Sequence, residues 1–371
     1  MHASLVHALI RRLVSPTVKV RRLGYFVTLC KLLQEQHPAK AHLAVVLLRR
    51  AGELERPLAE YCSTLHVSRR QGSRIVGAIA TKEAARRYIG TAVEMGVMLP
   101  LGIECQNTKT GHLLAAVPST KNLFSLSMPQ RLILLEALLR GDYLYLKTLV
   151  ELILDKEDTN DYRQFRQRIL SHIDSVVKES KNPDEIRQLR NTRKSLLSWK
   201  RPDRYYREDI RAPRLEWLLD LGLLTKWNQQ VDYLALRSGA DRFFSTADFD
   251  EQWFDEEFAG LFQSCFEDEL PGPSHWDDLP RTRQDFSLRK YLEKAMPLFR
   301  PARGVDKISI SQFLTYTICM LLTEKGVIAS RKQLESALAD FTRSSSKYRD
   351  VRMTSGVDIG YIVRERPSTS P

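Results

Sequence analysis

Three times along the 371 residues, a series of short amphipathic helices runs into a pair of short apolar stretches separated by turn residues. The order helix, helix, helix, hairpin leaves no run of strands from which a large sheet or a parallel α/β core could grow, and points to small helical bundles carrying β-hairpins. In the first copy, apolar residues recur every three or four positions over Leu5–Leu13, Leu23–Gln34, His42–Ala51, Pro57–Leu65 and Thr81–Met95. Thr81 is the expected N-cap of the last of these, Glu83 sits in its first turn, and Gly96 stops it. Val97–Val117 then reads as a hairpin turning through Asn107-Thr108-Lys109-Thr110-Gly111.

In the second copy, Ser127 and Pro129 introduce helices over Arg131–Leu139 and Leu144–Leu154; a helical run Tyr162–Ser180 and a basic one, Pro183–Trp199, intervene. Ala212–Asp220 is a short helix with Leu215, Trp217, Leu218 and Leu219 apolar, Gly222 breaks it, and Leu223–Leu236 reads as strand, turn, strand. The third copy comprises helices over Ser309–Glu324 and Ser330–Phe341 and a hairpin Tyr348–Val363 across Thr354-Ser355-Gly356. No sequence identity links the copies, so what repeats is architecture. The expected organisation is a helical bundle with its hairpin over 1–122, a second unit with a basic helical insertion over 123–245, an acidic segment and linker over 246–280, and a C-terminal unit over 281–371.

The step from helix through glycine into strand, Tyr88-Ile89-Gly90-Thr91-Ala92-Val93-Glu94-Met95-Gly96-Val97 and again Arg214-Leu215-Glu216-Trp217-Leu218-Leu219-Asp220-Leu221-Gly222-Leu223-Leu224, resembles the third helix and first wing strand of winged-helix domains. Asp232-Tyr233-Leu234-Ala235-Leu236-Arg237-Ser238-Gly239 is similar to a frequent wing ending, departing from it at Ala235 and Arg237-Ser238, and the third copy finishes its hairpin in Gly360-Tyr361-Ile362. This turn pattern occurs across transcription factors, restriction-enzyme specificity domains and antiphage-defence subunits, and strings of winged helices without a catalytic motif are common in the last group. The resemblance implies a mainly α fold with small β-hairpins, three winged-helix-like units with helical insertions, and nucleic acid as partner. It also implies that the third helix enters the major groove while the wing touches backbone.

Charge agrees. The net +12 is polarised: Ser245–Pro280 holds eleven acidic residues and no Lys or Arg, so the remainder sets 57 cations against 34 anions. Residues 1–90 alone carry sixteen cations and five anions, a density that attracts polyanions. On the first copy the candidate contacts to double-stranded DNA are Lys82, Arg86 and Arg87 on the third helix with Lys109 on the wing, or the preceding run Arg69, Arg70 and Arg74 as the groove-reading element. In the central block Arg187, Arg190, Arg193, Lys194, Lys200, Arg201, Arg204 and Arg207 recur at helical spacing beside Trp199, Tyr205 and Tyr206. For those aromatics, burial against a neighbouring helix is the stronger expectation.

Enzyme signatures are few. The chain has no GxxxxGK[ST], GxGxxG or GxSxG, its eight histidines show no HExxH or HxH spacing, and its five cysteines lie no closer than 32 positions apart. Glu179-Ser180-Lys181, with Asp161 or Asp174 upstream, matches the acid-then-Glu-x-Lys pattern of restriction-type nucleases, but on a polar helical run instead of a strand. No catalytic residue, cofactor or metal is therefore expected. The acidic stretch places Phe249, Trp253, Phe254, Phe258, Leu261, Phe262 and Phe266 three or four apart, an amphipathic segment with an anionic face; residues 248–269 are the expected docking site for a protein partner or a cover for the basic surface. No apolar run reaches the roughly 18 residues of a membrane span, and Arg11 and Arg12 follow the first apolar stretch, the reverse of a signal peptide. The expectation is a cytoplasmic, non-catalytic DNA-binding or assembly subunit, with a protein-protein scaffold or dimerisation subunit as the alternative and a metal-dependent nuclease third.

Overall fold

The computed structural model describes residues 19–35, 38–65, 70–71, 74–75, 77–179, 183–198, 202–228, 233–245, 257–270, 281–296, 307–345, 348–352 and 360–364. They are mainly helical, with small antiparallel β-hairpins. The chain divides into two compact units between residues 253 and 254. The expected first helix, Leu5–Leu13, lies outside the described residues.

The first unit opens with α1 (Gly24–Glu35), α2 (Lys40–Glu53), α3 (Glu55–Thr64), a minimal hairpin of β1 (Arg70–Gln71) and β2 (Arg74–Ile75), and α4 (Lys82–Glu94). Thr81 caps α4 as expected, its Oγ1 accepting the Ala84 N–H at 3.1 Å. Gly96 ends the helix in the left-handed region (φ +68°), where only glycine sits without steric cost; its N–H donates to the Val93 carbonyl and that of Val97 to Ala92, both at 3.0 Å. Leu223 and Gly222 repeat these bonds to Leu218 and Leu219 at 2.9 Å.

The first hairpin turns earlier than the sequence predicts. Strands β3 (Met98–Leu101) and β4 (Glu104–Asn107) join at Gly102, and the expected turn residues instead begin a helix, α5 (Lys109–Ala116). Thr108 is the cause: its hydroxyl donates to the Gly96 carbonyl at 2.6 Å and accepts from the Gly111 N–H at 3.2 Å, capping α5. Gly111 has no room for a side chain, since a Cβ there would press far inside contact distance of the Val97 carbonyl oxygen. Gly111→Ala is expected to lower stability by about 3 kcal/mol, read as a shifted urea midpoint at unchanged m. Ala39 bridges to Glu104 across the other edge of β4, so β4 lies between residue 39 and β3.

The two helices expected over 131–154 are one kinked helix, α6 (Met128–Leu154), broken at Asp142 (φ −134°, ψ 20°) just after Gly141. At its start the Ser127 N–H donates to Gln130 Oε1 at 3.0 Å. Next come α7 (Tyr162–Glu179), α8 (Pro183–Leu197), α9 (Pro202–Tyr205), a π-helical turn (Tyr206–Arg211) and α10 (Ala212–Asp220). A hairpin of β5 (Leu224–Asn228) and β6 (Tyr233–Leu236) and the short α11 (Ala240–Ser245) close the unit. Tyr145, Leu149, Phe165, Ile169, Ile173, Leu189, Leu196, Tyr206 and Ile210 form one buried cluster that pins α7 and α8 to α6. Tyr206 is part of that core, its hydroxyl donating to the Thr159 carbonyl at 2.6 Å, and it offers no stacking surface.

The second unit contains α12 (Phe258–Cys265), α13 (Arg281–Ala295), β7 (Lys307–Ser309), α14 (Ile310–Lys325), α15 (Arg331–Arg343), β8 (Tyr348–Arg352) and β9 (Gly360–Arg364). Ser330 caps α15 reciprocally: its Oγ accepts the Gln333 N–H at 3.2 Å and its own N–H donates to Gln333 Oε1 at 2.7 Å. The sheet order is β7-β9-β8, so the early strand lies beside the last one. The N-terminal part of the first unit has that arrangement too, with residue 39 beside β4 and β3 outside it. Phe258, Phe262 and Phe266 are buried and Glu267, Asp268 and Glu269 exposed, while Asp248 to Glu256 lie outside the described residues.

Candidate nucleic-acid interface

The structure sets apart the helices that the sequence offers as third helices or basic contacts. Helix α10, which should be the groove-reading helix of the second copy, is buried along its length, from Pro213 through Asp220. Its charged residues are tied inward. Arg214, wholly buried, forms a bidentate pair with Asp142 (2.6 and 2.7 Å), donates to the Ile210 carbonyl at 3.0 Å and lies over the Tyr145 ring. Glu216 accepts from Arg21 at 2.7 Å and pairs with Arg22 at 3.3 Å. Asp220 receives Arg22 at 2.8 Å, the Leu23 N–H at 2.8 Å and the Tyr61 hydroxyl at 3.0 Å. These bonds join residues 21–23 and 61 to residues 216–220, so the first two sequence copies share one interior. A helix enclosed in this way presents nothing to a groove.

Burial pushes the Asp220 carboxyl up to about 6, against the pull of Arg22 and its other donors. The folded chain therefore holds this proton to about pH 6, whereas the unfolded chain releases it near the ordinary value of 3.8. The contribution to stability is full below about pH 4 and is lost as pH rises through about 6. Between about pH 7 and pH 4, wild type should gain about 2 kcal/mol relative to Asp220→Asn, which cannot titrate. Urea unfolding of the two proteins at both pH values measures it.

Helix α4 is different, because Lys82, Arg86 and Arg87 are exposed on its outer face. Glu83 lies 3.9 Å from Arg86 and 3.5 Å from Arg87, exposed pairings that hold neither cation firmly. Lys109 is exposed but stands in the first turn of α5, not on the hairpin. Arg70 and Arg74 belong to β1 and β2, and Arg69 lies outside the described residues.

Among the described residues, α8 carries a row of exposed cations. This helix anchors itself through Leu189 and Leu196, each worth roughly 2 kcal/mol of burial, and leaves Arg187, Arg190, Arg193 and Lys194 exposed. At 3.6 residues per turn the four cations fall within an arc of about 120°. Asp174 lies 3.3 Å from Arg193, and neither Arg190 nor Lys194 has a carboxylate partner among the described residues. An open groove of about 420 Å³ between α7 and α8 has Val177 and Leu197 as its apolar floor and Asp174, Arg190, Arg193 and Lys194 at its rim. Of the remaining candidates, Arg204 is exposed on α9 but paired with Glu208 at 3.1 Å, and Lys200, Arg201 and Trp199 lie outside the described residues.

No family model, curated protein or solved structure matches the chain. Its chemistry has to be read from its own side chains. Among the described residues no three His, Cys, Asp or Glu side chains gather to hold a metal ion, all five cysteines are buried and unbridged, and no helix is long and apolar enough to cross a membrane. Glu179 ends helix α7; Ser180 and Lys181 lie outside the described residues.

The first hairpin holds a feature that charge counting missed. Leu99 and Leu101 are 48% and 47% exposed and Ile103, in the turn, is 79% exposed, while β3 and β4 carry no cation. The signal is present in sequence as Met98-Leu99-Pro100-Leu101-Gly102-Ile103, but a turn expected at 107–111, about six residues too late, hides which of these face outward.

Proposed function

We propose that the chain is a non-catalytic subunit that binds duplex DNA through its phosphate backbone, with α8 as the main contact and α4 as a second. The single observation carrying this reading is the exposed array Arg187, Arg190, Arg193 and Lys194 on one side of one helix, in which Arg190 and Lys194 have no carboxylate partner among the described residues. A rod of phosphates is the partner that a line of cations on a straight helix fits, and guanidinium forks pair with phosphate oxygens bidentately. The shared arrangement of an early strand position beside the final strand, in the N-terminal part and again in the second unit, supports winged-helix units in those two places. Under the same reading the middle hairpin and α10 serve as interior architecture. Binding to duplex of arbitrary sequence, followed by fluorescence anisotropy from about 50 to 200 mM salt, should give a log-log slope of about −4 or steeper. A flat slope would remove the proposal.

A protein-scaffold reading is favoured by one observation only, the exposed Leu99, Leu101 and Ile103 on an edge hairpin. It predicts that wild type sediments as a dimer and that Leu99→Ser/Leu101→Ser/Ile103→Ser sediments as a monomer. Monomeric wild type at micromolar concentration would leave that hairpin without a dimerisation role.

A further inference from the structure

A second basic feature lies on different elements from those of the proposed DNA contact. Between α1 and α2 a cleft of about 350 Å³ is lined by Lys31, Arg49, Arg50 and Glu53, with Leu32, Val46 and Leu123 as apolar wall. Lys31 is half buried and forms no ion pair among the described residues: its ammonium donates to the Ser119 hydroxyl at 2.7 Å, a neutral partner, and burial lowers its pKa. Ser119 also accepts from the Gln130 amide at 2.8 Å, so both acceptor positions of its oxygen are taken and its O–H remains to donate. Arg50 is paired with Glu53, whereas Arg49 has no acidic partner among the described residues. The cleft thus sets three cations against one carboxylate, an excess of two.

We propose that this cleft binds a phosphate monoester. Three facts select that class. An excess of two positive charges matches a monoester, which carries about −1.5 to −2 at neutral pH, better than a diester. Lys31 and the two arginines reach the space from two helices, with guanidinium forks suited to phosphate oxygens. The apolar wall of Leu32, Val46 and Leu123, and a volume within the range of small-molecule sites, leave room for the organic group that the phosphate carries. Such a group is found on a free mononucleotide and on the 5′ end of a nucleic-acid strand. The cleft involves none of the residues of α4 or α8, so it stands or falls apart from the DNA reading.

The test is calorimetric titration of the full chain with adenosine 5′-monophosphate, phenyl phosphate and adenosine, beside anisotropy with two oligonucleotides that differ only in a 5′-phosphate. Binding of either monophosphate, with none by adenosine, supports a free small ligand; at least tenfold tighter binding of the phosphorylated oligonucleotide supports a strand end. In both cases Lys31→Met and Arg49→Gln should each weaken binding at least tenfold, while Lys290→Gln, exposed and outside the cleft, leaves the monophosphate titration unchanged. If neither monophosphate binds and the two oligonucleotides bind alike, or if the Lys31→Met and Arg49→Gln proteins bind as wild type does, the proposal is overturned.

Discussion

Arg214→Met should cost about 3–5 kcal/mol and lower the melting temperature by roughly 10 °C, one of the largest effects of any single substitution in the chain. Methionine fills much of the same space, so the loss comes from the Asp142 carboxylate. That group is wholly buried, takes both of its strong bonds from Arg214, and is already pushed upward in pKa by burial. Removing the cation leaves an anion with no water to turn to. The second substitution decides the mechanism: Arg214→Met/Asp142→Leu removes both charges and should recover more than half of the loss, because two apolar residues replace the pair. Differential scanning calorimetry of the three proteins measures this. A single mutant within 1 kcal/mol of wild type would mean that α10 is not held as described and that its face is accessible.

Replacing Arg187, Arg190, Arg193 and Lys194 together by Gln should weaken duplex binding about a hundredfold at about 50 mM salt, since four phosphates lose their counterions' replacement. The helix itself should survive, because Leu189 and Leu196 hold it to the cluster around Phe165 and Ile173, and Gln is a good helix former. Net charge falls by four, so the control must fall by four as well: Arg56, Lys121, Lys290 and Lys325, exposed and outside α4 and α8, changed to Gln. That protein should lose no more than severalfold. Equal losses from both would mean that the chain attracts DNA only through its overall charge.

Much of the local structure is legible in the sequence. Thr81, Ser330 and Gly96 mark helix ends because capping and left-handed backbone depend on a single side chain or its absence, information that one position carries. The apolar spacing that locates α4, α7 and α15 is equally local. What escapes is where the second partner lies far along the chain. Arg214, Glu216 and Asp220 look like the solvated side of an amphipathic helix until Asp142, Arg21 and Arg22, some 70 to 200 positions away, supply the counterions that allow burial. The turn at Gly102 escapes for a nearer reason: Thr108 can end a strand or cap a helix, and its bond to the Gly96 carbonyl selects the cap. Strand β7 is three residues long and exists because β9 pairs with it, which no three-residue pattern foretells. Of the site, the basic character of α8 is visible in sequence; that Arg190 and Lys194 have no carboxylate partner among the described residues is a property of the packed helices.

The most direct test is to map where DNA touches the chain. A duplex carrying photoreactive thymines, crosslinked to the full protein and read out by peptide mass spectrometry, should place its strongest adducts within residues 183–197 and weaker ones within 82–94, with none on 212–220. Adducts confined to other segments, or strong adducts on 212–220, would contradict both the proposed interface and the enclosure of α10.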